Sequence, residues 1–136
     1  MILVDTSVLI NLLRGVGGGK TAMMREVIER EIPFGIAAVT YQEILQGARD
    51  EREFSTLVEY LGSLKIYHFP ASVDFYTKAS RLFYLLRRKG VTPRGTIDVL
   101  IAAMAIENDL LLLHDDRDFD MMEQHTPELK VLHALP

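Results

Sequence analysis

Four carboxylates stand where a folded chain could gather them: Asp5, Glu43, Asp98 and Asp116. Asp5 ends the short β-type run Ile2-Leu3-Val4, and Asp98 is the lone polar residue between Ile97 and Ile106. Asp116 lies beyond the apolar run Leu110 to Leu113, in a stretch crowded with Asp115, Asp118 and Asp120. Glu43 follows the predicted strand Phe34 to Val39. Each acid thus follows a strand or opens a helix, and open α/β sheets build their sites in the crevice outside the carboxyl ends of strands. Converging carboxylates at ~5 Å repel by several kcal/mol unless a cation neutralises them. Mg²⁺ or Mn²⁺ suits such oxygen ligands. A metal held there activates water and polarises a phosphoryl oxygen, so metal-assisted phosphodiester hydrolysis is the chemistry these residue types support.

Each acid also has a structural explanation. Asp98, at the second helical position behind a Thr96 cap, would complement the helix dipole, worth ~0.3–1 kcal/mol. Thr40-x-x-Glu43 has the spacing of a capping box, in which Glu43 reaches back to the Thr40 amide. Asp5 would merely end a strand, and Asp116 would start a turn or helix. The coincidence of four favours a site over four separate accidents.

The elements that must position these acids alternate along the chain. After Asp5, Thr6 and Ser7 are helix-capping residue types, and Val8, Leu9, Leu12 and Leu13 begin a helical face. Residues 20 to 31 read as a helix ended by Pro33, and residues 51 to 62 as another with Phe54, Leu57, Val58 and Leu61 on one face. Lys65 to Phe69 alternates as a strand. A long helix is predicted from about Ser72 to Lys89, with Gly90 as its stop. The segment from Thr96 to Asn108 is a helix apolar on all faces, hence buried on all faces, and Leu110 to Leu113 is an inner parallel strand. A short helix from about Asp120 precedes the last strand, Leu129 to Leu132. Alternating strands and helices predict one α/β domain over residues 1–136, with a mostly parallel central sheet flanked by helices.

Composition sets the limits. The 136 residues are 49% hydrophobic and 25% charged, as in globular domains. With no cysteine, disulfides and thiolate zinc sites are excluded. The four histidines show no paired metal-ligand spacing, so any metal is a hard cation held by oxygen. Met1 leads into Ile2-Leu3-Val4-Asp5 without the basic start of a signal peptide, and no run approaches the ~18 apolar residues of a spanning helix. A cytoplasmic protein is expected, with no membrane contact. The net charge of −4 argues mildly against nucleic-acid binding, but four clustered carboxylates account for all of it.

Two further stretches bear on partners. RGVGGGKT, residues 14 to 21, suggests a phosphate-binding loop, but that pattern places Gly where Arg14 stands and follows a strand, not a helix. It is read as a connection between helices. The basic stretch Arg87-Arg88-Lys89 reads as a solvated helix end suited to the C-terminal dipole. Arg94, four residues before Asp98, is the better candidate for contact with a phosphate backbone.

Taken together, MILVDTSVLI, YQEILQGA, TIDVLIAAMA and LLLHDDRDFD resemble, in order and over essentially the whole chain, the PIN-domain ribonucleases, most of all the VapC toxins of toxin–antitoxin modules. The resemblance implies a parallel sheet flanked by helices and a Mg²⁺- or Mn²⁺-dependent endoribonuclease. It makes Asp5, Glu43, Asp98 and Asp116 the catalytic, metal-binding acids, with Asp115 and Asp118 as alternatives for the fourth place. Thr6 would help shape the metal site. It also implies a cognate antitoxin and a toxin homodimer. A receiver-like or phosphatase reading fits poorly, because Asp5 is followed by Thr6 and Ser7 where those sites need a second acid. The alternative is a PIN-like module that binds RNA or protein without cleaving, and retention of all four acids counts against it.

Overall fold

The computed structural model describes residues 1–136. Its centre is a five-stranded sheet in the order β3-β2-β1-β4-β5, with every neighbouring pair parallel. In chain order the elements are β1 (Ile2–Val4), α1 (Thr6–Leu13), α2 (Gly19–Glu29), β2 (Phe34–Ala37), α3 (Ala38–Gln46), α4 (Glu51–Gly62), β3 (Lys65–Tyr67), α5 (Val73–Arg88), α6 (Thr96–Glu107), β4 (Leu111–Leu113), α7 (Arg117–His125) and β5 (Lys130–Val131). No helix is long and apolar enough to cross a membrane.

Successive strand side chains point to opposite faces of a sheet, and here they feed two cores. Leu3, Ala37 and Leu112 join Phe75, Ile101, Met104 and Phe119 on the face covered by α5, α6 and α7. Ile2, Val4, Ile36 and Leu113 join Val8, Met24, Ile44 and Leu61 on the face covered by α1 to α4. A sheet buried on both faces explains why its inner strands are continuous apolar runs and not alternating ones. Leu112 is fully buried on the central strand pair, and its truncation to Ala would cost roughly 2–5 kcal/mol.

The packing also explains one glycine. A Cβ on Gly35 would lie 2.6 Å from Tyr67 Cε2 and 2.7 Å from the Lys65 carbonyl, so only glycine lets β2 and β3 approach.

Several boundaries differ from the sequence reading. β2 ends at Ala37 and α3 starts at Ala38, so Val39 and Thr40 are helical. α7 starts at Arg117, three residues before the expected Asp120. The first turn of α6 is not buried all round: Ile97 is 41% exposed, while Val99 and Ile101 through Ala105 are buried. The glycine-rich segment joins α1 to α2, and Gly90 follows α5 with φ +79°, a conformation that suits glycine.

The parallel arrangement puts all five carboxyl ends on one edge. Val4 pairs with Leu113, and the Asp5 N–H donates to the Leu113 carbonyl over 2.9 Å as the last rung. Beyond that rung β1 turns into α1 and β4 turns towards α7, and Asp5 and Asp116 lie where the two strands part, with Glu43 on α3 and Asp98 on α6.

Candidate active site

Asp5 is the most buried of the acids, at 5% exposure. It is itself the N-cap of α1, with extended backbone, and its Oδ2 accepts from the Ser7 N–H at 3.1 Å and from the Ser7 hydroxyl at 2.6 Å. The expected capping role of Thr6 and Ser7 therefore shifts one residue back. Burial pushes the Asp5 carboxyl above its ordinary range; the Ser7 hydrogen bonds oppose that, and the Asp116 charge adds to it.

Thr6 points across to α3. Its hydroxyl lies 3.3 Å from Glu43 Oε1 and 3.2 Å from Thr40 Oγ1, one proton for two acceptors. The capping box does not form. The N-cap of α3 is Ala37, with no side-chain cap, and Thr40 is buried inside the helix. Glu43, on an open face of α3, is bound instead by Thr6 from the neighbouring strand–helix junction. Partial burial raises its carboxyl, the Thr6 bond lowers it, and the Asp5 charge raises it.

Asp98 lies in the first turn of α6 behind Gly95, which is the N-cap in place of Thr96. It is half-buried. Burial, then the charges of Asp5, Asp116, Asp118 and Glu43, push its pKa up to about 6. The helix N-terminus favours its negative charge, but the neighbouring acids and burial prevail.

Asp116 caps α7, accepting from the Asp118 N–H at 2.9 Å, and its own N–H donates to His114 Nδ1 at 3.2 Å. Asp118 accepts from the Arg94 N–H at 3.1 Å and from Arg94 Nε at 3.3 Å. A terminal guanidinium nitrogen of Arg94 is 3.6 Å from Asp116 Oδ1. One carboxylate oxygen from each of Asp98, Asp116 and Asp118 lies within 4.8 Å of the others. Such a set of oxygen donors, half-buried and mutually repelling, fits a hard divalent cation better than any softer metal.

The model of the PIN domain family matches residues 2–124. The chain belongs to the PIN domain family. Among relatives of this PIN domain, VapC ribonuclease Mb1587 of Mycobacterium bovis is 32% identical over 127 residues, 93% of this chain and 94% of the relative. Ribonuclease VapC51 of Mycobacterium tuberculosis is 31% identical over 123 residues, covering 88% and 83%. Solved structures share the fold. VapBC2 from Rickettsia felis, bound to a DNA fragment from its promoter, superposes with a TM-score of 0.72 at 20% identity, over 97% of this chain and 98% of that one. FitAcB from Neisseria gonorrhoeae gives 0.71 at 19% identity, over 98% and 97%.

Within the PIN domain the expected residues divide by position. Asp98, Asp116 and Asp118 form the tight cluster. Asp5 and Glu43 stand close enough for their charges to bear on Asp98. Asp115 is exposed and stands outside the three-acid cluster; its part is a backbone N–H donated to Ser7. Arg94 belongs to the rim through Asp116 and Asp118.

Two contributors escape a reading of the sequence. Ser7 reads as an ordinary cap, yet it binds Asp5. His114 has no ligand spacing, yet its ring is buried at the end of β4 and accepts from Asp116. Burial holds His114 below its ordinary pKa, against the pull of Asp120. Its Nε2 is 3.7 Å from Asp120 Oδ1, beyond hydrogen-bond range, and has no partner. Accepting at Nδ1 puts the proton of the neutral ring on Nε2.

Proposed function

We propose that this PIN domain is a Mg²⁺- or Mn²⁺-dependent endoribonuclease, the toxin of a toxin–antitoxin pair. The observation that carries the reading is the cluster of Asp98, Asp116 and Asp118 oxygens within 4.8 Å, at the carboxyl edge of a PIN-family sheet. The ribonuclease names of relatives at 31–32% identity support the activity.

In this reading Asp98 and Asp116, with Asp5 and Glu43 behind them, hold the cation, and Asp118 is a further oxygen donor. When bound, the cation supplies a water acidified towards hydroxide and a Lewis acid at the scissile phosphate. The remaining work falls to the side chains. Thr6 and Ser7 keep Glu43 and Asp5 oriented through their hydroxyls. Without the cation, burial and the neighbouring acids push Asp98 up to about 6; with a cation bound that repulsion would be offset and Asp98 would stay ionised as a ligand. Arg94, 79% exposed beside Asp116 and Asp118, is placed to hold a phosphate of the RNA chain.

The antitoxin has a candidate seat. A groove of ≈ 610 Å³ runs between α1, α3 and α4, lined by Ile10, Leu13, Ile44 and Leu57 with Arg14 and Glu53. It suits an amphipathic helix with apolar anchors one turn apart. The groove runs along the C-terminal halves of α1 and α3, the helices that start at Asp5 and carry Glu43, so an occupant would bear on the site through those two helices. Solved toxin–antitoxin complexes of the same fold support such a partner. The homodimer belongs to the same reading, and the exposed Val73, Tyr76 and Tyr84 on one side of α5 offer it an apolar patch.

The test is incubation of the purified chain with labelled RNAs in Mg²⁺, in Mn²⁺ and in EDTA, with and without ATP. Internal cleavage that needs the cation and ignores ATP is expected. Full activity in EDTA overturns the reading, and binding without cleavage under every condition favours the non-cleaving module.

A further inference from the structure

The seam between β1 and β4 is where the site is assembled, and one hydroxyl crosses it after the strand ladder has ended. Ser7 Oγ donates to Asp5 Oδ2 over 2.6 Å and accepts the Asp115 N–H over 2.9 Å. The direction of both bonds is forced. A carboxylate only accepts and a backbone N–H only donates, so the single hydroxyl proton must go to Asp5. No apolar side chain can take this place, and a pure donor or a pure acceptor can make only one of the two bonds.

What the hydroxyl joins matters more than its own position. Asp5 is fixed at the start of α1, while Asp115 is the residue immediately before Asp116 in the turn that leaves β4. The last backbone rung, from Asp5 N–H to the Leu113 carbonyl, lies behind this turn. Beyond it the spacing between Asp5 and Asp116 depends on the turn alone. Ser7, 108 residues from Asp115 in sequence, ties that turn to the carboxylate of Asp5. His114 Nδ1 holds the next N–H, that of Asp116, from the protein interior. The two bonds grip consecutive amides of the turn.

We propose that Ser7 is a positioning residue for the metal site, setting the separation of Asp5 and Asp116 through its paired hydrogen bonds. It touches neither RNA nor cation and acts through the two acids. This rests on the reading of the acidic cluster as a cation site. Partners that orient metal ligands in this way typically govern affinity by ten- to a hundredfold.

The experiment compares wild type, Ser7→Ala and Ser7→Thr, with Mn²⁺ binding followed by electron paramagnetic resonance in the absence of RNA. The Asp115 amide is followed by nitrogen–proton NMR in the metal-free protein. Ser7→Ala should bind Mn²⁺ at least about tenfold more weakly, with the Asp115 amide shifted and exchanging faster. Ser7→Thr keeps the hydroxyl and should restore both. Ser7→Ala with native affinity overturns the proposal, as does Ser7→Thr that keeps the Asp115 bond yet binds as poorly as Ser7→Ala. If Ser7→Ala does not fold, Ser7→Cys keeps the volume with a much weaker donor and acceptor, and takes its place. Failure of the wild type to bind Mn²⁺ is a failure of the metal reading. The Ser7 link is then judged on the amide, and equal exchange of Asp115 in wild type and Ser7→Ala overturns it.

Discussion

Arg94 holds Asp118 twice, through its backbone N–H at 3.1 Å and its Nε at 3.3 Å, both to the same Oδ2. The backbone bond fixes where the chain enters α6, whereas the side chain, 79% exposed, reaches the acids from the solvent side. A divalent cation among the acids would compete with that guanidinium for Asp116 and Asp118. Released, the side chain would be available to an RNA phosphate.

Arg94→Gln separates these roles, because it keeps the backbone bond and removes the charge. Mn²⁺ affinity should hold or tighten, since a competing cation is gone. KM for RNA should rise several-fold, and the dependence of log KM on log salt should become shallower by about one. An unchanged salt dependence would assign Arg94 to the acids alone.

Glu43 is free of the helix-capping role its spacing suggests, since α3 begins at Ala38 with Ala37 as N-cap. Glu43→Gln should therefore leave the melting temperature within a degree or two of wild type, as is usual for surface substitutions away from special features. Removing one of the charges that repel Asp98 gives no reason for loss. Cleavage should fall by an order of magnitude or more. Full activity would show that the site does without a carboxylate here.

The sheet and the edge that carries the site are legible in the sequence for a physical reason. Strands buried on both faces must be short apolar runs, and Ile2-Leu3-Val4 and Leu110 to Leu113 each stop at residues that cannot be buried without partners. Helix starts are less legible. Asp5, Thr6 and Ser7 are all good caps, and only the extended backbone of Asp5, φ −79° and ψ 156°, decides among them. The same ambiguity makes Thr40 look like a cap when it is a buried helical residue. Which of Asp115, Asp116 and Asp118 joins Asp98 depends on side-chain directions in one turn, and no periodicity encodes those. Ser7 and His114 escape for another reason: their partners are set by the turn after β4, and for Ser7 by contacts across the whole chain.

The groove between α1, α3 and α4 offers a way to separate activity from restraint. Leu13 is 43% exposed on its wall, at the far end of α1 from Asp5. Leu13→Glu places a charge where a partner helix would bury an apolar anchor; solvated in the free chain, the carboxylate would have to be buried unpaired in the complex. Co-expressed with a candidate antitoxin that binds the wild type, the variant should fail to co-purify with it and should be toxic to the host, while its cleavage of RNA in vitro stays at the wild-type level. Co-purification undiminished by Leu13→Glu would move the partner to another face.

Asp98→Asn gives the most discriminating result, because the two accounts of Asp98 differ in sign. With its folded pKa raised to about 6 from the ordinary 3.8, Asp98 binds a proton more tightly in the folded state. Its contribution to stability is fully present below about pH 4 and is lost as pH rises through about 6. The metal-free wild type should therefore gain stability through this group as pH falls from 7 to 4, and Asp98→Asn should lack that component. Half-burial means that solvent screens part of the effect, so the sign is the decisive quantity. In EDTA at pH 7 the variant should melt no lower than wild type, having shed a carboxylate that burial and four acids disfavour. With Mn²⁺ at a hundred times its dissociation constant, the wild type gains ~2.7 kcal/mol and the variant should not. Cleavage should fall by orders of magnitude, because Asp98 would hold the cation that supplies the activated water. Were Asp98 there only to complement the α6 dipole, the variant would lose up to ~1 kcal/mol equally with and without metal and would still cut RNA. Melting curves in EDTA and in Mn²⁺, at pH 5 and pH 7, decide between the two.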